Sequence, residues 1–358
     1  MSAFAWRGPL LGLLLAIGAG FLCAWLQTPL PWMIGPLFAV SGARLAGAPV
    51  EAVPGARYLG QWIIGSALGL YFTPAVVRQV AALAPWMILA GVYALGIGAV
   101  CGLALARLAG VDRRTAFFAS VPGGATEMSL LADRFGARTD LVAVAQSLRI
   151  VLVVSLIPFL YAWIGVHGAD PYVQGAREFS WPGLATLMAL TALGGAVLHR
   201  FRLPNGWVIG ALCVSLPLTA QEFNFSTVPS WLSNAGQLLI GCALASRFQR
   251  DFLSRAPRFL LAVTVTVLLA MTLASLFALF LAWAMPAHPG TTVLAMAPGG
   301  IAEMAITAKV LQLGVPVVTA FHVTRMVLLV STTGVVYQLA SKWRAQRASR
   351  RNDDEDPR

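Results

Sequence analysis

Residues 117–154 read FFASVPGGATEMSLLADRFGARTDLVAVAQSLRIVLVV, and residues 293–330 read VLAMAPGGIAEMAITAKVLQLGVPVVTAFHVTRMVLLV. The two stretches align without a gap at an offset of 176 residues, and 12 of the 38 positions are identical. The identities include Pro-Gly-Gly, Glu-Met and a lone Arg. Chance similarity between apolar helices would not place these rare charged residues in register, so the chain is expected to contain two copies of one unit.

Other segments repeat in the same order. Trp-Met-Ile-Gly at 32–35 recurs as Trp-Val-Ile-Gly at 207–210, and Gly-Gln at 60–61 recurs at 236–237. We predict a first membrane repeat over residues 1–166, a second over 182–340 and a charged cytoplasmic tail over 341–358. The hydrophobic segments fall near 9–27, 30–46, 58–75, 85–109, 114–133 and 139–165, then near 182–200, 204–220, 231–247, 257–284, 291–311 and 315–339.

The composition requires a bilayer. Hydrophobic residues make up 58% of the 358 residues and charged residues only 11%, against about 25% charged in a soluble domain. A helix needs about 20 apolar residues to cross a membrane, and several segments meet that length. We therefore predict an all-α integral membrane protein with ten to twelve hydrophobic segments. The net charge of +11 lies in short loops and the tail, as topology signals do, so no nucleic-acid partner is expected.

The distribution of Lys and Arg decides between two topologies. If all six segments of each repeat cross the membrane, 13 of these residues lie inside and 10 outside. If the fifth segment enters and leaves on one face, 20 lie inside and three outside, namely Arg78, Arg177 and Lys309. The second count fits the positive-inside rule. Five spans per repeat turn the second repeat upside down, so we predict two inverted repeats, each with five transmembrane helices plus one broken or re-entrant Pro-Gly-Gly helix.

The fifth segment has the length of a re-entrant hairpin. About nine residues lead from Asp112 to Val121, and about ten lead out to Arg134. At ~1.5 Å per residue each arm spans roughly half of a ~30 Å hydrocarbon core. Proline removes an amide donor and glycine disfavours helix, so Pro-Gly-Gly breaks the helix between the arms. A full span with a proline kink is the alternative; it keeps the same site but alters the topology.

Two equivalent carboxylates, Glu127 and Glu303, are the acidic residues well inside membrane segments. Each lies three residues after a Gly-Gly pair, in the first turn of the outgoing half-helix. A charge at this depth costs about 2.5–3.5 kcal/mol on insertion scales and usually faces a cavity. The functional interpretation is a carboxylate that binds a cation or carries a proton. The alternative is a carboxylate that caps free amides at the helix start.

Two equivalent arginines, Arg149 and Arg325, are the basic residues within the membrane segments, and both are expected at the depth of the Pro-Gly-Gly breaks. A buried arginine needs a partner, and the glutamates are the obvious candidates. That pairing could be purely structural or part of a substrate site. His322 lies one helical turn before Arg325 and could shuttle protons, or it could be a hydrogen-bonded packing residue.

The Pro-Gly-Gly breaks are themselves candidate binding elements. A half-helix N-terminus offers free amides to an anion, and unwound carbonyls can hold a cation. The residues predicted to bind substrate or ion are Pro122, Gly123, Gly124, Glu127, Arg149, Pro298, Gly299, Gly300, Glu303, His322 and Arg325.

The chain resembles a known family. The duplicated unit, with Pro-Trp-Met-Ile-Gly-Pro at 31–36 and two Pro-Gly-Gly-x-x-Glu-Met motifs, is similar to the bacterial AbrB-type membrane protein family over about residues 9–340. The family is often labelled as an ammonia monooxygenase or as a regulator of gene expression, and the resemblance implies those labels. It is not similar to the soluble DNA-binding regulators that share the name.

The residues favour transport over the other functions. A copper or iron oxygenase needs clustered ligands, and one His and two Glu are the membrane candidates, so no enzyme activity, catalytic residue, metal or cofactor is predicted. We expect a secondary transporter of a small molecule, together with a proton or a cation or alone, in the bacterial inner membrane with both termini cytoplasmic. A membrane sensor or regulator acting indirectly on gene expression is the alternative, and an oxygenase is the third. The sequence leaves a homo-oligomer open.

Overall fold

The computed structural model describes residues 6–168, 172, 178–223, 225–248, 257–285 and 287–355, without side-chain detail at 344, 345 and 347–355. Four arginines of the charge count lie outside these residues: Arg177, Arg250, Arg255 and, at the end of the predicted tail over 356–358, Arg358. The described part of the chain is built from helices and contains no strand, as the composition predicts.

The helices follow the two predicted sets of hydrophobic segments. In the first set they are α1 (Arg7–Trp25), α2 (Pro31–Leu45), α3 (Ala56–Gly69), α4 (Pro74–Ala82), α5 (Ala84–Ala109), α6 (Arg113–Ser120), α7 (Ala125–Arg134) and α8 (Thr139–Ile164). In the second they are α9 (Trp181–Arg200), α10 (Gly206–Ala220), α11 (Ser230–Ala245), α12 (Pro257–Ala284), α13 (Pro289–Met296), α14 (Ile301–Val310) and α15 (Val315–Glu355). The last helix runs without a break into the predicted tail.

Six of the described helices are long and apolar enough to cross a membrane: α1, α5, α8, α9, α12 and the first 29 residues of α15. Large apolar side chains point outward from them, including Leu14, Trp163, Leu261 and Trp283, which are 65%, 85%, 67% and 84% exposed. An exposed apolar surface on this scale is stable when lipid covers it. The chain is a multi-pass helical membrane protein.

The third hydrophobic segment ends earlier than its sequence pattern indicates. It was expected near 58–75, but α3 stops at Gly69 and α4 leaves at 96°. The Thr73 hydroxyl accepts a hydrogen bond from the Val76 amide at 3.4 Å, and Pro74 occupies the first helical position. Threonine at the N-cap and proline at the next position start a new helix, which explains the turn.

The short helices α2, α3, α10 and α11 form one of the contacts between the two halves of the chain; α5 and α8 also pack against α12, and α5 against α15. A Cβ atom built on Gly65 of α3 would lie 2.5 Å from the Val208 carbonyl of α10, and one on Gly241 of α11 would lie 2.5 Å from the Met33 carbonyl of α2. Any side chain at either glycine would separate the helices. Gly65 and Gly241 are sequence-equivalent, so the third helix of each half packs reciprocally against the second helix of the other.

The two Pro-Gly-Gly segments form hairpins whose ends are tied together. The Arg138 amide after α7 donates to the Thr115 hydroxyl at the start of α6 at 2.9 Å. The Gly314 amide after α14 donates to the Thr291 hydroxyl at the start of α13 at 3.2 Å. Thr115 and Thr291 are sequence-equivalent, as are their two donors. Each pair of half-length helices therefore enters and leaves at one end.

Candidate functional site

Each residue of the Pro-Gly-Gly-x-x-Glu-Met motif has a packing role at the break. The helix stops at Ser120 and resumes at Ala125. A Cβ on Gly123 would lie 2.6 Å from the Met128 side chain, and a Cβ on Gly124 would overlap the Glu127 carboxylate. Met128 is fully buried. The first glycine thus leaves room for the methionine, and the second leaves room for the glutamate to fold back over the start of α7.

The second break repeats this packing. A Cβ on Gly299 would lie 2.7 Å from the Met304 side chain, and a Cβ on Gly300 would overlap the Glu303 carboxylate. Each glutamate is the third residue of its half-helix, and each is half-buried. A carboxylate at this position faces the free amides and the partial positive charge of the helix start. Each carboxylate therefore lies at the positive end of its half-helix, and among the described residues neither accepts a hydrogen bond from an amide there.

The two arginines hold the unwound backbone of the breaks. The Arg149 guanidinium donates to the carbonyls of Val121 at 3.2 Å and Gly123 at 2.7 Å. The Arg325 guanidinium donates to the equivalent carbonyls, of Ala297 at 2.7 Å and Gly299 at 3.0 Å, and to Met296 at 3.2 Å. The end of the incoming half-helix leaves carbonyls without amide partners, and the arginine fork satisfies them.

The predicted pairing of these arginines with the glutamates is wrong. Among the described residues, no carboxylate oxygen lies within 4.0 Å of the Arg149 or Arg325 guanidinium. The predicted depth is right, since both arginines reach the breaks and are only 4% exposed. The partners differ because the glutamates turn toward the start of the outgoing helices, while the arginines bind carbonyls left by the incoming ones.

A polar residue one turn before each arginine binds the same half-helix end. The Gln146 amide nitrogen donates to the carbonyls of Phe118 at 2.9 Å and Val121 at 2.8 Å. His322, its equivalent, places Nε2 2.9 Å from the Leu294 carbonyl and Nδ1 2.9 Å from an Arg325 nitrogen. Arginine can only donate, so Nδ1 accepts and Nε2 carries the proton. Both ring nitrogens are engaged, which favours a structural role over proton shuttling.

The two breaks meet at one internal space, which we call the central cavity. Nine of the eleven predicted site residues line it; Glu127 and Pro298 do not. Pro298 instead lines a neighbouring apolar cavity between α5 and α12, whose wall also includes Pro122 and both arginines. The central cavity is lined by Arg57, Gln61, Pro122, Gly123, Gly124, Ala125, Arg149, Ile150, Asn205, Val208, Gly299, Gly300, Ile301, Ala302, Glu303, His322, Arg325 and Met326.

Three polar residues of this cavity were not predicted from the sequence. Arg57 and Gln61 on α3 both donate to the Asn205 side-chain oxygen, at 3.3 and 3.1 Å. Asn205 precedes α10 in the left-handed conformation, with φ of +47°, which asparagine tolerates better than most residues. The available signal was Asn205 itself, a polar residue directly before a short apolar helix. In the described part of the chain, no group of three or more His, Cys, Asp or Glu side chains could hold a metal ion.

Comparisons with known proteins agree with the resemblance seen in the motifs. The chain is 24% identical to "Putative regulator AbrB" of Escherichia coli (strain K12), over 98% of this chain and 100% of that one. It is 26% identical to "Uncharacterized protein YhjN" of Bacillus subtilis (strain 168), over 91% of each chain. No solved structure matches it. The family described as "Transition state regulatory protein AbrB" matches residues 32–341, and the chain belongs to this AbrB family.

Proposed function

We propose that this chain is a secondary transporter of a small molecule, with its substrate site in the central cavity. The observation that carries the proposal is the convergence of two broken helices, one from each sequence repeat, on a single internal cavity. Discontinuous helices are a common construction of transporter sites, because their unwound turns and helix ends offer backbone groups to substrate and coupling ions. The proposal includes no catalytic residue, cofactor or resident metal. The partners are the lipid bilayer and the substrate, with a proton or cation where transport is coupled, and a homo-oligomer is compatible with it.

The proposed membrane arrangement is a pair of inverted repeats in the bacterial inner membrane. In each repeat, three long helices and two shorter ones cross, and the Pro-Gly-Gly hairpin is re-entrant. Two observations support this. The hairpin helices have 8 and 10 residues in both repeats, about 12 and 15 Å at ~1.5 Å per residue, and their outer ends are tied together. In this arrangement 20 basic residues lie inside and three outside, which by the positive-inside rule supports a cytoplasmic position for both termini.

Cysteine labelling from outside the cell tests this arrangement. Asp133 and Val310 lie near the C-terminal ends of α7 and α14, and both are exposed. In a background with Cys23, Cys101, Cys213 and Cys242 replaced, Val310→Cys should react with an impermeant maleimide and Asp133→Cys should react only after the membrane is opened. Equal labelling at the two positions in intact cells would refute the inverted arrangement.

Transport is tested with purified protein in sealed vesicles. A screen of radiolabelled metabolites under proton and sodium gradients should reveal accumulation that protein-free vesicles lack. Glu303→Gln should reduce that accumulation while preserving insertion, because Glu303 lines the central cavity. Arg78→Gln is the matched control, since Arg78 is exposed on α4 and its charge lies outside the cavity. Equal uptake by wild type and Glu303→Gln would remove Glu303 from the site, and an absence of uptake for every compound would contradict the transporter proposal.

A membrane sensor or regulator is the second candidate, favoured by the family description and by the name of the Escherichia coli relative. The same cavity would then report occupancy rather than move a substrate. The described residues contain no separate soluble domain beyond the helical bundle, so any effect on gene expression would be indirect. A transcriptional phenotype that persists in a variant with no measurable flux would favour the regulator over the transporter.

A further inference from the structure

The wall of the central cavity carries an excess of positive charge. Arg57, Arg149 and Arg325 contribute three formal positive charges, and Glu303 contributes one negative charge, which leaves +2. The starts of α7 and α14 also form part of the wall, through Gly124 and Gly300. A helix start carries a partial positive charge, and here the carboxylates of Glu127 and Glu303 partly offset it, because each folds over the start of its own helix.

Among the described residues, neither buried arginine forms a salt bridge, although Glu303 is close enough to Arg149 to attract its charge. Arg149 and Arg325 are each only 4% exposed, and their hydrogen bonds go to neutral carbonyls and to His322. The Arg149 Nε is buried and has no hydrogen-bond partner. Burying a charge without a counter-charge is costly, so these two groups leave both charge and a donor available to an anionic ligand.

A second positive space lies next to the central cavity, and we call it the vestibule. It is wide and open to solvent, and its wall includes Arg44, Glu51, Arg57 and Arg247, which sum to a formal charge of +2. Arg247 is held by the Ser147 hydroxyl at 3.0 Å. A cleft lined by one sign of charge raises the local concentration of the opposite ion, so the vestibule should attract anions.

Arg57 is the arginine shared by both spaces. It lines the vestibule and the central cavity, and it is half-buried at the start of α3. Among the described residues its guanidinium makes one hydrogen bond, to the Asn205 side-chain oxygen at 3.3 Å, so within that part of the chain most of its five donors have no partner. The arginine fork matches the oxygens of a carboxylate or a phosphate group.

We propose that the central cavity takes a small oxyanion, with a carboxylate or phosphate group, and that Arg57 is a specificity-determining residue which receives it from the vestibule. This inference rests on the proposed function, whose substrate class it names. The anion would bind the Arg57 fork first and then the positive charge of Arg149 and Arg325 at the two breaks, with the Arg149 Nε as a further donor.

Ligand-induced stabilisation of the purified protein tests this without transport. Melting is followed by tryptophan fluorescence in detergent with added sodium acetate, sodium succinate or sodium phosphate, against sodium chloride and choline chloride at equal ionic strength. At least one of the three oxyanions should raise the melting temperature saturably. Arg57→Gln should weaken that binding by about tenfold or more, Arg57→Lys should weaken it less, and Arg78→Gln should leave it unchanged. The carboxylates and phosphate are separate arms, so the response also tells which group is recognised.

Three results would overturn the inference: stabilisation by choline with none by the oxyanions, no stabilisation by any salt, or equal loss of binding in Arg57→Gln and Arg78→Gln. The outcome is separable from that of the transporter proposal. Oxyanion binding without uptake supports the site and contradicts transport, whereas uptake confined to cations or neutral compounds supports transport and contradicts the site. If Arg57→Gln does not fold, Arg57→Lys and Arg247→Gln provide the comparison, and both should bind the stabilising oxyanion more weakly than Arg78→Gln.

Discussion

Replacing Arg325 by methionine measures what holds the second helix break together. The structure gives Arg325 three hydrogen bonds to backbone carbonyls and one to His322. If these hydrogen bonds are the main contribution of Arg325, the stability lost in Arg325→Met should not depend on the nearby glutamates. If Arg325 instead neutralises a carboxylate, removing that carboxylate should restore stability.

The expected loss follows from the number of hydrogen bonds. Polar contacts inside membrane proteins average about 0.6 kcal/mol each, so four bonds give a lower value near 2 kcal/mol. Carbonyls left without a donor cost about 1–3 kcal/mol each, partly offset because methionine removes a buried charge. We therefore expect Arg325→Met to destabilise the protein by about 2–4 kcal/mol. Arg149→Met is the matched control and should cost about half as much, since Arg149 makes two such bonds.

A double-variant cycle on detergent-solubilised protein decides between the two explanations. Unfolding is measured for wild type, Arg325→Met, Glu303→Gln and the double variant, and the cycle is repeated with Glu127→Gln. If Arg325 acts as a clamp, that is, only through its hydrogen bonds to the carbonyls, its interaction energy with the glutamate should be below about 0.5 kcal/mol, as for independent sites. If the two residues form an ion pair, the interaction energy should reach up to about 3 kcal/mol. Recovery of more than about 1 kcal/mol by either glutamate variant would refute the clamp.

Three further predictions concern the same hairpins. Glu303→Gln should reduce uptake more than Glu127→Gln, because Glu303 lines the central cavity; equal effects in vesicles would show that the asymmetry is irrelevant to transport. Gly300→Ala should displace the Glu303 carboxylate, so the uptake of this variant should resemble that of Glu303→Ala. The double variant should take up as much as either single variant, and additive losses of uptake would contradict this. Asp112→Ala should cost about 1 kcal/mol by removing an N-cap, since the Asp112 carboxylate accepts from the Arg114 and Thr115 amides at 3.0 and 2.9 Å. Burial raises the pKa of Asp112, but hydrogen bonds from Thr115 and Arg114 outweigh this effect and lower that pKa. The difference in the free energy of unfolding between wild type and Asp112→Ala should therefore persist at neutral pH and shrink as the pH falls through the folded-state pKa. A difference that grows in acid would contradict the cap.

The helix breaks could be predicted because their causes are local. Proline followed by two glycines strongly disfavours a helix, so the ends of α6 and α13 follow from Pro122-Gly123-Gly124 and Pro298-Gly299-Gly300, whereas the single Gly35-Pro36 pair is tolerated inside α2. The depth of Arg149 and Arg325 could also be counted along the helix, because the rise per residue is constant. Local chemistry and helix geometry were sufficient for both features.

The partners of the arginines could not be predicted in the same way. A carboxylate and an unpaired carbonyl lie at similar depth near each break, and sequence position alone does not distinguish them. The choice depends on which way Glu303 turns, and that depends on the space above Gly300. The contribution of Arg57 was also hidden, because its partner Asn205 lies 148 residues further along the chain and meets it only through the packing of α3 on α10.

The differences between the repeats indicate how one duplicated unit forms a single asymmetric cavity. The residues that shape the breaks are shared: Pro-Gly-Gly, the glutamate and the arginine occur in both halves. The residues at the cavity mouth are not. Asn205 is equivalent to Leu30, and both have a left-handed backbone, with φ of +47° and +50°, so the turn is retained while the side chain changes. Arg57 is equivalent to Ser233, whose buried hydroxyl has no hydrogen-bond partner in the part of the chain that the structure describes. Duplication therefore supplies a symmetric scaffold, and one polar residue from each half, Arg57 from the first and Asn205 from the second, makes the wall of the central cavity asymmetric, because the equivalent residues Ser233 and Leu30 do not form such a pair.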